Sequence, residues 1–286
     1  MFRTKDMFTL AKHLRRRYNT QALLRHTGRI GFGVSMNGLI GYTGFVGGNL
    51  RRQRQYSALY NSVNVAEMQG QHFRRLVCAG VSAVKWLANK DPEGDWEKIA
   101  ALIDVLKTVT ADQFVLISTI DVYAKTQELD ETFDNHGVPH HAYGTHRLKF
   151  EDFCRTHFSR CQIVRLPGLF GAGLKKNVIF DLMNDHCLEL IAPGSSFQYY
   201  GLENLSDDLD KIERTEIPII NLFTEPVFTS EVIERFFPGK IVGTQATPEV
   251  HYNLWTKYAN LWGKTGCYCY SREEVFAQME KFIFNR

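Results

Sequence analysis

No run of about eighteen apolar residues occurs in the 286 positions, so no membrane-spanning helix is expected. Metal-ligand spacing is missing as well. The six cysteines (Cys78, Cys154, Cys161, Cys187, Cys267, Cys269) include no C-x-x-C pair, and the ten histidines include no H-E-x-x-H. Cys267-Tyr-Cys269 is too close for a usual zinc knuckle and reads as alternation in a strand. Reduced, buried thiols of a cytosolic protein are expected. His136, His140, His141 and His146 gather around one helix start without ligand spacing, so no metal is expected there. Internal repeats and low-complexity linkers are also absent.

Acidic residues are nearly absent from the first 35 positions. Arg3, Lys5, Lys12, Arg15, Arg16, Arg17, Arg25 and Arg29 stand there against Asp6 alone, a net +7 within a formal total of +3. The remaining residues therefore carry −4, and a mildly acidic body gives no support for nucleic-acid binding. Three readings of the leader stay open. It has the composition of an organellar transit peptide, rich in Arg and poor in acids. It also suits a basic arm that touches membrane or RNA. The third is an extension upstream of a protein that opens at Met36, since Met36-Asn-Gly-Leu-Ile-Gly is a natural first strand. Residues 1–35 are expected to be a poorly ordered extension that adds little to the core. No compact apolar segment marks a secretory signal, so a cytoplasmic location is expected, with import through the leader left open.

What is present is ordinary for a folded domain, at 44% hydrophobic and 23% charged residues. One segment stands apart. A short apolar strand, Leu39-Ile40, runs into Gly41-Tyr-Thr-Gly44-Phe-Val-Gly47, and a helix from Phe45 to Arg54 follows. In a dinucleotide site the first glycine permits the tight turn, the second lets backbone approach a pyrophosphate, and the third lets helix pack on strand. The amides of Phe45 and Val46 and the positive helix end then favour an anion.

Downstream, strands and helices alternate. Ala58–Tyr60 reads as a second strand, Ala66–Phe73 as a polar helix and Arg75–Gly80 as a buried strand. A helix announced by Asp91-Pro-Glu-Gly-Asp95 carries Trp96, Ile99, Leu102, Ile103 and Leu106 at helical spacing. Gln113–Ser118, helix 141–158 and strand Cys161–Leu166 complete a pattern that predicts an α/β, doubly wound parallel sheet. Only 30 residues separate Gly47 from Cys78, too few for two strand–helix units, so the sheet is expected to be abbreviated by one unit. Beyond Gly171 the pattern becomes irregular, with a helix over Asn177–Asn184. Leu188–Ile191, Phe197–Tyr200 and Pro218–Leu222 read as short strands. Ser271-Arg-Glu-Glu274 is a capping box opening a terminal helix.

Three further features follow the glycine turn in order: Ser118-Thr119-Ile-Asp121-Val-Tyr123, Tyr143-Gly-Thr-His-Arg147 and Arg165-Leu-Pro167-Gly-Leu-Phe-Gly171. Over residues 36 to 230 the chain resembles the extended short-chain dehydrogenase/reductase superfamily, in its nucleotide-sugar epimerase/dehydratase branch. The resemblance implies a Rossmann-like domain over 36–170 and a small irregular substrate-binding part, 171–286, packed on it. It implies NAD or NADP as cofactor, a nucleotide-linked sugar as substrate, no nucleic-acid or membrane partner, and a possible homodimer. Cofactor contacts are implied at Gly41, Thr43, Gly44, Phe45, Val46, Gly47, Asn61, Ala79, Gly80, Ser118, Tyr143, Arg147 and Pro167. Thr119 would bond the substrate oxygen and Tyr143 would be the acid/base.

The chain departs from the family pattern at three places. The family's Lys four residues after the Tyr is Arg147, which keeps the charge but not the compact ammonium; restoring Lys there is expected to preserve or raise activity. At the end of the second strand, neutral Asn61 or Ser62 replaces the carboxylate that grips the NAD ribose, with Arg51, Arg52 and Arg54 nearby. Dehydratases carry Asp-Glu after the catalytic Thr; Ile120-Asp121 here fits epimerisation or ketone reduction better. Substrate contacts are implied at Thr119, Asn177 and Lys175, with Lys176 beside them. Two functions follow: an NAD(P)-dependent epimerase or oxidoreductase, or a non-catalytic NAD(P)-binding sensor or scaffold.

Overall fold

The computed structural model describes residues 36–245 and 247–284. The reading of positions 1–35 as a poorly ordered extension lies outside them. Strand β1 (Asn37–Ile40) is flanked by β2 (Ala58–Tyr60) on one side and β3 (His72–Cys78) on the other. β4 (Thr110–Thr119), β5 (Cys161–Leu166) and β9 (Ile219–Asn221) continue beyond β3, every pair parallel. The order β2-β1-β3-β4-β5-β9 is that of a doubly wound sheet cut short at β2. One strand–helix unit is missing, as the short spacing predicts: a single 3-10 turn, Val65–Met68, links β2 to β3. The helix expected over Ala66–Phe73 does not form. His72 and Phe73 are already paired with Thr110 and Ala111 of β4, and that ladder overrides local propensity.

Both sheet faces are covered, which explains the continuous apolar runs. Leu76, Cys78, Phe114, Leu116 and Ile163 share a core with Ile99, Leu102 and Leu106 of α3 (Pro92–Leu106) and Phe150 of α4 (Ala142–His157). The alternate residues Val77, Val115 and Val164 pack with Leu50 of α1 (Phe45–Gln53). The same core takes in Leu205, Leu209 and Ile212 of α6 (Leu205–Glu213). Burial of each of those three aliphatic side chains contributes about 1.5–3 kcal/mol. Asp91 starts α3 by accepting from the Gly94 amide at 3.1 Å. A short α2 (Lys85–Lys90) precedes it.

Met36–Arg286 forms one compact unit, to which β9 contributes from beyond residue 171. Beside α6, which joins the second core, that region builds a third core from α5 (Val178–Asn184), α7 (Thr229–Phe236) and α8 (Arg272–Phe284). Two small ladders flank it: β6 (Gly168–Phe170) with β8 (Tyr199–Gly201), and β7 (Ser196–Phe197) with β10 (Val227–Phe228). The capping box at α8 is present, with the Ser271 amide donating to Glu274 Oε2 at 2.7 Å. Leu188–Leu190 is a 3-10 turn rather than a strand, because Cys187 stands at φ +49 and turns the chain before it. Cys267-Tyr-Cys269 lies in a loop rather than a strand; the Cys269 amide donates to the Phe223 carbonyl at 2.8 Å. No helix among the described residues is long and apolar enough to cross a membrane.

Candidate active site

The three glycines after β1 divide into two kinds. Gly41 stands at φ +85, and a Cβ there would lie 2.3 Å from the Ala79 carbonyl oxygen. At Gly47 a Cβ would lie 2.1 Å from the Gly41 carbonyl oxygen. Packing alone requires both. Gly44 is exposed and extended, and a Cβ on it would meet only the Gly41 oxygen, at 3.3 Å. Its lack of a side chain therefore keeps space open outside the protein at the start of α1. No side chain caps that helix, and the Phe45 and Val46 amides have no acceptor among the described residues. Two free donors at a positive helix end make an anion cradle. Gly47→Ala should lower stability by about 1–3 kcal/mol through overpacking against backbone. A thermal melt checks this, and an unchanged midpoint would show the turn to be looser than it stands.

Beside the cradle a cleft of about 220 Å³ opens at the C-terminal ends of β1, β3, β4 and β5. Val46, Ala79, Ser118, Thr119, Tyr143, Arg147 and Pro167, all expected from the sequence, line it. It sits where the chain leaves β1 for β2 on one side and β3 on the other, the switch point at which such sheets bind ligands. Asp121 lines it as well, and Val81, Ser82, Ala83, Ile117, Leu166 and Leu169 complete the wall without having been expected. Their only signal was adjacency, since they extend the small-residue stop at Ala79-Gly80 and the Leu-Pro step after β5. Gly41, Thr43, Gly44, Phe45, Gly47 and Gly80 belong to the turns around the cleft rather than to its wall.

Thr119 ends β4, its hydroxyl accepting from the Asp121 amide at 3.1 Å. Tyr143 sits in the first turn of α4, its amide donating to Asn89 Oδ1 at 3.0 Å. The phenol faces Thr119 and is 6% exposed. Burial raises the phenol above its ordinary value; Arg147 and Thr119 pull it down, while Asp121 and Asp95 push it up. Desolvation thus outweighs the pull of the neighbouring cation. Arg147 lies over the Tyr143 ring, with Cζ 4.0 Å from its centroid. Its Nη1 donates to Asp95 Oδ2 at 2.5 Å and its Nη2 to Asp95 Oδ1 at 3.0 Å. Lys149 lies elsewhere, over the Trp96 ring.

Several other expected contacts are engaged inside the protein. Ser118 Oγ donates to Glu151 Oε1 at 2.5 Å, and Glu151 is gripped by buried Arg165. Asn177 stands at φ +132, caps α5 by accepting from the Phe180 amide at 3.0 Å, and donates to the Leu169 carbonyl at 2.9 Å. Its amide is therefore occupied as a loop clamp. Lys176 donates to the Ala83 carbonyl at 2.9 Å, and Lys175 is exposed. At the end of β2, Asn61 Nδ2 donates to the Tyr42 hydroxyl at 3.3 Å, and Arg51 lies over the Tyr42 ring. Arg52 is spent on the Gly48 and Ala172 carbonyls and Arg54 on Asp210, which leaves Arg51 beside this end. No cluster of three or more metal-ligating side chains occurs among the described residues.

No protein-family model matches the chain, and no curated protein matches it by sequence. Solved structures do. A dTDP-4-dehydrorhamnose reductase from Bacillus anthracis, crystallised with NADP, matches with a TM-score of 0.67 and 14% identity over 88% of this chain and 99% of its own. The chain shares its fold with that protein. RMD from Pseudomonas aeruginosa, crystallised with NADPH, matches with a TM-score of 0.62 at 17% identity, covering 82% of this chain and 93% of its own. TunA, an NAD-dependent NDP-hexosamine 5,6-dehydratase of tunicamycin biosynthesis, matches with 0.66 at 14%, covering 87% and 96%.

Proposed function

We propose that this chain binds NAD or NADP over the Gly41–Gly47 turn and transfers a hydride to or from a sugar-like alcohol or ketone, nucleotide-linked. The observation that carries the reading is the meeting, in one cleft at the switch point, of the uncapped α1 N-terminus with Thr119 and Tyr143. Residues 36–170 hold the cofactor and 171–286 the substrate. The diphosphate would lie on the Phe45 and Val46 amides, and the nicotinamide would supply the hydride. Thr119 holds the substrate oxygen, and the Tyr143 hydroxyl gives or takes its proton. With the phenol raised above its ordinary value, Tyr143 is protonated at neutral pH and suited to donating a proton as a ketone is reduced. Epimerisation and reduction fit better than dehydration, because Ile120 leaves the cleft one carboxyl short of the dehydratase pattern. The similar folds crystallised with NADP and NADPH support the cofactor class.

A second reading, a non-catalytic NAD(P)-binding sensor or scaffold, draws on one observation: the cation beside Tyr143 is tied to Asp95. Fluorescence titration with NADH and NADPH, then turnover of a panel of nucleotide-linked keto sugars and alcohols, separates the two. Binding with turnover is expected. Binding without turnover across the panel selects the sensor, and absence of binding removes both.

A further inference from the structure

We propose that Asp95 is a positioning residue that acts on Tyr143 through Arg147, holding the guanidinium over the ring and offsetting part of its charge. The proposal rests on the reading of Tyr143 as the acid/base. Asp95 comes from the first turn of α3, a different element from the helix that carries Tyr143 and Arg147. It is 7% exposed, and Arg147 is 4% exposed. The carboxylate takes both Arg147 terminal nitrogens, and Arg147 Nη2 also donates to the Ser82 carbonyl at 2.5 Å. His146 Nδ1 holds the same carboxylate at 2.8 Å. Three hydrogen bonds therefore fix the guanidinium, only a planar fork can make them together, and His146 steadies the carboxylate that takes two of them.

Two consequences follow. The guanidinium lies over the phenol ring with both terminal nitrogens on Asp95, so it packs against Tyr143 rather than bonding its oxygen. The phenol also feels an ion pair rather than a lone cation. The charged and titratable groups facing Tyr143 are Arg147 and His141 from its own helix and helix start, Asp95 from α3, and Asp121 after β4. Asp121 is itself paired with Lys85 of α2 at 2.6 Å. Arg147 favours phenolate, and the two carboxylates oppose it. Asp95→Asn keeps the shape and removes one opposing charge.

The geometry also reverses the expectation for Arg147→Lys. An ammonium cannot span both Asp95 oxygens and the Ser82 carbonyl, so it settles on Asp95 and is not free to serve phenol or cofactor. Lys at this position should help only when Asp95 is neutralised too.

Ultraviolet difference titration, with Tyr143→Phe as the reference, reads the Tyr143 ionisation without turnover. The midpoint in Asp95→Asn should fall by about one pH unit from the wild-type value, the scale of one nearby charge. Turnover of Arg147→Lys should fall at least about tenfold and recover in Asp95→Asn/Arg147→Lys. A midpoint within about 0.2 units of wild type in Asp95→Asn overturns the proposal, as does Arg147→Lys turning over as well as the double variant. If Asp95→Asn does not fold, Asp95→Asn/Arg147→Lys carries the same titration. A midpoint shift in a protein that turns over nothing supports the coupling and sinks only the enzymatic reading. Turnover without the shift sinks only the Asp95 role.

Discussion

Gly44→Val is expected to weaken NADH and NADPH binding by at least about 100-fold while leaving the thermal melt almost unchanged. The Val side chain would stand over the Phe45 and Val46 amides, where the diphosphate is proposed to lie. Charge-assisted bonds of this kind contribute about 1.5–3 kcal/mol each, and losing two exceeds the roughly 2.8 kcal/mol that a 100-fold change represents. The fold should tolerate the substitution. Gly44 has φ −78, which any residue adopts, and its Cβ direction is open apart from the Gly41 oxygen. The contrast with Gly47 is internal to the motif: one glycine serves packing and the other serves an approach from outside. Fluorescence titration beside a melt checks both halves. A folded Gly44→Val protein with unchanged affinity would remove the dinucleotide reading.

Where the sequence was legible, the constraint was local. The glycine spacing, the Asp91-Pro and Ser271-Arg-Glu-Glu274 starts, and the missing strand–helix unit were readable because each depends on a few neighbouring residues or on chain length. Ala66–Phe73 was misread because its state depends on β4, roughly forty residues away. Helix α6 went unseen because Leu205, Leu209 and Ile212 sit in an acid-rich segment, and only the second sheet face gives that stripe a partner. At the site, residue types were legible and their commitments were not. Tyr143, Thr119 and Arg147 do meet in one cleft, yet nothing near Arg147 in sequence reveals that Asp95, 52 positions upstream, holds it. Asn177 shows the same limit. Its type suits a substrate contact, but a left-handed loop end uses both ends of its amide.

Tyr143→Phe is expected to lower turnover by about 10²–10⁴ with KM nearly unchanged, the usual scale for losing a positioned acid/base. Phe preserves the ring that Arg147 covers and the amide bond to Asn89, so the loss should be chemical rather than structural. The pH dependence has a definite sign. Because burial raises the phenol above its ordinary value, ketone reduction should be flat through neutral pH and fall only as the phenol deprotonates on the alkaline side. Arg147→Met removes the largest influence pulling the phenol down, so that limb should move further upward. The same change leaves Asp95 buried without its main partner and should cost about 3–5 kcal/mol of stability. The limb must therefore be read below the variant's own melting range. If Tyr143→Phe turns over as fast as the wild type, the phenol is not the acid/base. Thr119 and Asp121, which line the same cleft, then become the next residues to test.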